Sequence, residues 1–424
     1  SKVILEVYIK KNARLTSSPS RHEMMQRYER IYSLLYLTGN RSNETRVKYW
    51  QQLAKSARQC HHTSLELECL QVLQAIYGYR AYDEALLLGT EELVIKCLKS
   101  NRASTRCKMA ALDHRAASAE DRPYPNRVPI TEIESSIKKY DLFNVQYYGS
   151  EALIQNAIYN KNWLVALKHS EQVLRFFRRS FPKEEQPRIH FLYIRVLIYT
   201  AMCDFKNGAA CWEKLYQCCK KNQETIQLVK VIEVGIILNL RCGETSMTTK
   251  LLDAIIELGG DAVIPKKEHC RWLTYYRSLS VLNYGQPENL EAITSQIKKL
   301  KRRVRRQQDF RTEDITNMLI LDCIELLRKK SYQKVADIIS RLRKELPKRL
   351  SVDMPEYRLN LFLKLLVEAG TANFHRVAVL RKTVNSLKRL KATSPSIRDE
   401  GLDFELIPFE KLWYILLTTL SDKA

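Results

Sequence analysis

Lys298, Lys299, Lys301, Arg302, Arg303, Arg305 and Arg306 place seven cations in nine residues. Ile293, Ile297, Leu300 and Val304 keep a helical apolar stripe through the same stretch, so the expectation is a helix whose other faces are positive. Such a face suits phosphate groups or an acidic partner. A solvated helix end with cations near its C-terminus is the simpler alternative. No aromatics are interleaved, which weakens recognition of single-stranded RNA. A second zone holds Arg376, Arg381, Lys382, Lys388, Arg389 and Lys391, and a smaller one Arg175, Arg178 and Arg179.

Other reactive residue types fall in patterns with less chemical promise. Cys60-His61-His62 has zinc-ligand types, but adjacent His side chains cannot share one helical site, and a fourth ligand at suitable spacing is missing. Cys218 and Cys219 lack the Cys-x-x-Cys frame of a redox pair. Glu184-Glu185 and Glu313-Asp314 sit where helices start, so capping explains them better than acid–base catalysis. No Gly-rich phosphate loop, metalloprotease helix or nucleophile elbow occurs. The expectation is a protein that is not an enzyme and needs no metal or cofactor.

The elements that position these residues are helices. Only 12 Gly and 12 Pro punctuate 424 residues, and 45% are hydrophobic. At Trp163, Ala166 and Leu167 an aromatic opens a helix and a small residue follows three positions on, on the same face. Leu153, Ile154, Ala157 and Ile158 supply the facing helix across a polar turn at Asn160-Lys161-Asn162. Tyr82, Ala85 and Leu86 repeat the figure, and Tyr332, Val335 and Ala336 repeat it loosely. This resembles the tetratricopeptide repeat, where an aromatic, then Ala, then an aliphatic residue opens the second helix. Val335 stands where that family has Ala, Pro347 falls where its closing Pro would be, and the first-helix Trp-Leu-Gly signature is absent.

The resemblance implies an all-α superhelix, a solenoid of antiparallel helix pairs. Its layout is similar to that of uncharacterised bacterial tetratricopeptide-like proteins. Packing inside the repeats would fall to Tyr82, Ala85, Trp163, Ala166, Tyr332 and Ala336. Earlier helices are expected over 21–37, 44–59, 64–77, 82–100 and 104–119. Pro123, Pro125 and Pro129 then break the chain. Three regions follow: N-terminal helical repeats over 1–120, a Pro-rich hinge over 121–130, and a C-terminal helical-repeat solenoid over 131–424. A helix over 131–146 leads into the Trp163 pair. Later turns are expected at Gly208, Gly243, Gly285, Ser331 and Gly370, and 407–420 should close the C-terminal end.

The formal charge of +23 favours an anionic partner. Eleven scattered Cys suit a reducing compartment. The apolar stretch at 3–9 is too short for a secretory signal, and no run is long enough to span a membrane, so a cytoplasmic chain is expected. These readings favour a scaffold that holds a partner protein or peptide, acidic in character, on a concave surface. Charge-driven nucleic-acid binding is the alternative.

Overall fold

The computed structural model describes residues 31–33, 44–78, 83–119, 127–222, 225–259, 264, 268–283, 290–304, 312–345, 356–393 and 405–420. Among these residues the fold is all-helical, and helices pack on their neighbours in the chain, as in a general α-solenoid. No helix among them is long and apolar enough to cross a membrane. The chain divides into two compact units, Ser1–Arg188 and Ile189–Ala424. Most of the Pro-rich stretch at 121–130, and the turn expected at Gly285, lie outside the described residues.

One turn recurs and explains much of the pairing. After α1 (Glu44–Gln59), α5 (Phe143–Tyr159), α7 (Glu185–Ala201) and α13 (Thr312–Arg328), a single residue turns left-handed: His61, Lys161, Cys203 and Lys330, with φ from 54° to 56°. The next residue's N–H then reaches back five positions: His62 to Ala57 (2.8 Å), Asn162 to Ala157 (2.7 Å), Asp204 to Tyr199 (3.0 Å) and Ser331 to Leu326 (2.9 Å). This satisfies an orphan carbonyl of the finished helix. The same residue starts the next helix: His62 Nδ1 accepts from Leu65 N, and Asp204 Oδ1 accepts from Asn207 N. Gly243 performs this turn after α9 (Thr225–Cys242).

In the first unit, α1 and α2 (Thr63–Ile76) pack around Trp50, Leu53, Cys69 and Leu73. The expected helices over 82–100 and 104–119 are one continuous helix, α3 (Glu84–Ala119), of 36 residues. Nothing at Asn101-Arg102-Ala103 breaks it, and Ala103 and Ser104 are buried against its neighbours. Its first half packs on α2, and its second on α4 (Ile130–Lys139) and α5. Conversely, the helix expected over 131–146 is split at Tyr140. Gln146 Nε2 donates to the carbonyls of Ile137 (2.8 Å) and Tyr140 (3.1 Å), closing α4 and fixing the start of α5. The pair is completed by α6 (Trp163–Ser180).

In the second unit, α11 (His269–Leu282) contacts both α9 and α13, and the three form an inner layer. α8 (Phe205–Asn222), α10 (Thr245–Glu257), α12 (Leu290–Val304) and α14 (Tyr332–Glu345) each pair with an inner helix. The inner position shows in α11, whose residues are buried on nearly every side. α15 (Glu356–Thr371) and α16 (Arg376–Ala392) form the next pair. α17 (Phe409–Thr419) rests on α13, α15 and α16 with Trp413 fully buried. Two expected turns are displaced: Gly208 lies inside α8 and Gly370 inside α15, while the chain turns at Cys203 and at Asn373–Phe374.

Candidate functional site

The basic run lies on α12. Ile293, Leu300 and Val304 are buried, Ile297 is half-buried, and Lys298, Lys299, Lys301 and Arg302 are exposed. The Arg303 side chain, Arg305 and Arg306 lie outside the described residues. The second zone lies on α16. There Val379, Thr383, Ser386 and Leu390 are buried, and Arg381, Lys382, Lys388, Arg389 and Lys391 are exposed. α12 packs on α11, whereas α16 packs on α15 and α17, so the two zones belong to different helix pairs. Two α16 cations make local bonds: Lys382 Nζ donates to the Thr371 carbonyl (3.0 Å) and Lys391 Nζ to the Tyr414 hydroxyl (2.8 Å). Arg175, Arg178 and Arg179 are exposed on α6 of the first unit, with Arg175 paired to Glu171 one turn away.

The exposed face of α16 is not purely cationic. Val377, Leu380 and Val384 are 44–59% exposed and fall at i, i+3 and i+7, one stripe along the helix. Reading the cations alone misses this stripe, although its spacing is present in the sequence.

The three copies of the aromatic-first figure fare differently. Ala166 is fully buried and Trp163 half-buried. Tyr82 lies outside the described residues, and Ala85 is exposed, on the open side of α3 instead of against a preceding helix. Thr90 and Cys97 face inward there. In the third copy Tyr332 stacks on Phe374 with centroids 5.0 Å apart. Val335 is fully buried, and Ala336 is exposed beside an open cleft of about 540 Å³ bordered by Ile339, Val367 and Phe374. The packing three residues after the aromatic is therefore made by Val335, not by Ala336.

The residues with metal-like or redox-like types have structural work. Cys60 is buried, the His61 ring lies edge-on to Phe181 at 4.9 Å, and His62 caps α2. Among the described residues no three His, Cys, Asp or Glu side chains stand close enough to hold a metal. Cysteines are free thiols. Burial pushes those of Cys69, Cys97, Cys107 and Cys323 up to about 12, the opposite of an activated nucleophile.

The most buried charges join helices. Arg271 and the Tyr275 hydroxyl both donate to Glu233 Oε1, at 3.2 and 2.7 Å, bridging α11 and α9. Burial pushes the Glu233 carboxyl up, with Arg271 opposing that shift. Arg277 crosses from α11 to Asp322 (2.5 Å) and Glu325 (2.9 Å) on α13. Arg358 on α15 grips Glu405 and Glu410 and also donates to the carbonyls of Leu390 and Thr393. A cavity of about 280 Å³ borders this last cluster, with Cys203, Arg241 and Lys391 also at its wall. Its guanidinium is already saturated by protein acceptors, so the cluster reads as a tie between α15, α16 and α17.

No family model, no curated protein and no solved structure matches this chain.

Proposed function

We propose that this chain is a non-catalytic helical scaffold, tetratricopeptide-like in its pairing, that binds partner proteins through mixed apolar and basic helix faces. The observation that carries this reading is the exposed stripe of Val377, Leu380 and Val384 beside Arg381 and Lys388 on α16. Phosphate groups would use the cations and leave the aliphatic side chains wet. A protein surface with apolar anchors and carboxylates would use both. The free thiols support a reducing, cytoplasmic setting. Leu380→Glu with Val384→Glu tests this reading, because both side chains are exposed and their replacement leaves the buried face of α16 intact. Partners recovered from the native host after nuclease treatment should be absent with this variant. Recovery that is indifferent to the variant would refute the assignment.

A second reading, charge-driven nucleic-acid binding, draws on α12, whose described outer residues Lys298, Lys299, Lys301 and Arg302 include no exposed apolar side chain. Replacing these four with Gln should weaken binding to generic RNA or DNA. On double-stranded DNA the salt slope should become shallower by about 0.9 for each phosphate that is no longer neutralised. No binding by the unaltered chain at low salt removes this reading.

A further inference from the structure

The long helix α3 carries a second exposed stripe, with the i, i+3, i+7 spacing of the α16 stripe carried over a longer run. Leu88, Ile95, Leu98, Met109 and Leu112 are 42–55% exposed. Leu88, Ile95 and Met109 fall on one seven-residue frame, with Arg102 at the position between them. Leu98 and Leu112 stand three residues after Ile95 and Met109. Five of the eight a and d positions of such a frame are therefore apolar, with Glu91, Arg102 and Thr105 at the others, a partial coiled-coil seam drawn out over about 36 Å of helix. The inner face is already filled: Cys97, Ala103, Cys107, Ala110 and Ala111 are buried, and the helix packs there on α2, α4 and α5. A seven-residue repeat serves no purpose on a face turned to water. It fits one kind of object, another helix laid along it.

The charge beside the seam selects among helices. From Leu88 to Leu112 the sequence contains five cations against two acids, Glu91 and Glu92, both near the first end. Arg106 is held by Glu132 in a bidentate pair (2.8 and 2.6 Å). Lys96, Lys99, Arg102 and Lys108 are exposed along the seam, with Lys108 also leaning over the Tyr148 ring. A second copy of this helix is a poor match. Parallel pairing sets each cation beside its own equivalent; antiparallel pairing about the seam's midpoint matches Lys108 with Glu92 of the other copy but crowds Lys99 and Arg102 of both copies at the centre, where an acidic partner would answer them. We infer that the outer face of α3 is a docking seam for an amphipathic helix of a partner protein, apolar at its own a and d positions and acidic on its flanks. The inference rests on reading the chain as a binding scaffold but uses a surface in the other unit.

The test uses the full chain and two stapled synthetic helices of about 21 residues, three heptads. Both carry Leu at a and d; one has Glu on the flanks and the other Lys. In an anisotropy titration the Glu helix should bind about tenfold more tightly than the Lys helix, a difference that shrinks as salt rises. Ile95→Glu with Met109→Glu should cost the Glu helix about tenfold or more, and the Leu380→Glu, Val384→Glu chain should bind it like the unaltered protein. Lys96→Glu with Lys99→Glu and Lys108→Glu keeps the seam and should reverse the preference between the two helices. Unchanged far-ultraviolet circular dichroism checks that each variant is folded. Equal affinity for the two helices, no binding of either, or binding that survives Ile95→Glu with Met109→Glu overturns the inference. So does a dimer of the unaltered chain that this variant dissolves, since the seam would then belong to a second copy. A loss confined to the α16 variant would place helix capture there and count against α3 alone.

Discussion

Replacing Arg358 with Met should remove a cation that organises the end of the second unit. Arg358 and Glu405 are each about 5% exposed. The guanidinium donates to Glu405 at 2.7 and 2.9 Å, to both oxygens of Glu410 at 2.9 Å, and to the Leu390 carbonyl at 2.8 Å. Met fills much of the volume but supplies no donor. The Glu405 carboxylate would remain buried with one bond shown, from the Phe409 N–H at 2.8 Å. Breaking a buried pair from one side costs about 3–5 kcal/mol. For a unit of this size that corresponds to a melting transition lower by roughly 6–20 °C, at about 2–4 °C per kcal/mol. Thermal melts of both chains at neutral pH measure this gap. A gap under about 1 kcal/mol, the value of a surface pair, would refute the assignment of this cluster as the tie between α15, α16 and α17.

Ala166→Trp should destabilise the first unit by about 1–3 kcal/mol or more, because Ala166 is fully buried on α6; an unchanged melting temperature would contradict that packing. Gly235→Ala should also destabilise. Its new Cβ would lie 2.6 Å from the Trp212 ring, which is pinned by its Nε1 donating to the Val231 carbonyl at 2.8 Å. The resulting strain, about 1–3 kcal/mol, should outweigh the helix-propensity gain of about 1 kcal/mol, so a rise in denaturant midpoint would refute it. His114 contributes a pH dependence, since burial lowers its pKa to about 4 despite the opposing charge of Glu151. Because the unfolded chain takes up this proton first, stability should be full above about pH 6.5 and lost as pH falls toward 4. His114→Gln should flatten that part of an acid-denaturation profile, and a profile unchanged by the variant would exclude His114 as its source.

The turns show how much of the fold was legible in the residues. The polar turn at Asn160-Lys161-Asn162, Gly243 and Ser331 were readable because turn residue types mark the end of one apolar stripe and the start of another. Gly208 misled because glycine has two uses. Its added Cβ would meet Leu238 at 3.0 Å and Tyr199 at 3.3 Å, so it serves a close helix crossing. The nearby turn is made by Cys203, which bears the left-handed cost of about 1–2 kcal/mol itself. Gly149 is another crossing glycine, against Ile137 and Cys107. The α3 seam was hidden for a related reason. Its two apolar faces share one helix, and a pass for buried stripes assigns every aliphatic residue to the core. Only tertiary structure shows that Ala103, Cys107, Ala110 and Ala111 already fill the inner side. The Tyr82-Ala85 figure fails by the same geometry: its period is helical, but Ala85 lies on the outward face.

The excess charge also divides in a way that a total of +23 conceals. Among the described residues the cations that pair with carboxylates across helices are arginines, among them Arg115 with Glu151, Arg271 with Glu233, Arg277 with Asp322 and Glu325, and Arg358 with Glu405 and Glu410. A planar guanidinium can satisfy two acceptors at once and is weakly hydrated, so it suits sites where water has been removed. Glu151 is 1% exposed and receives Arg115 through two bonds of 2.7 Å. The exposed cations on α3 and α12 are mostly lysines, compact charges that keep their water. Bridging arginines are matched by carboxylates and project little field outward. The lysine-bearing faces do project one, and on α3 and α16 it surrounds aliphatic side chains. A partner that satisfied the charge alone would leave those side chains in water, and one that buried them without carboxylates would strand the lysines. Both costs are avoided only when apolar and acidic groups arrive on the same surface, which is why these faces point to a protein partner more strongly than the net charge points to nucleic acid.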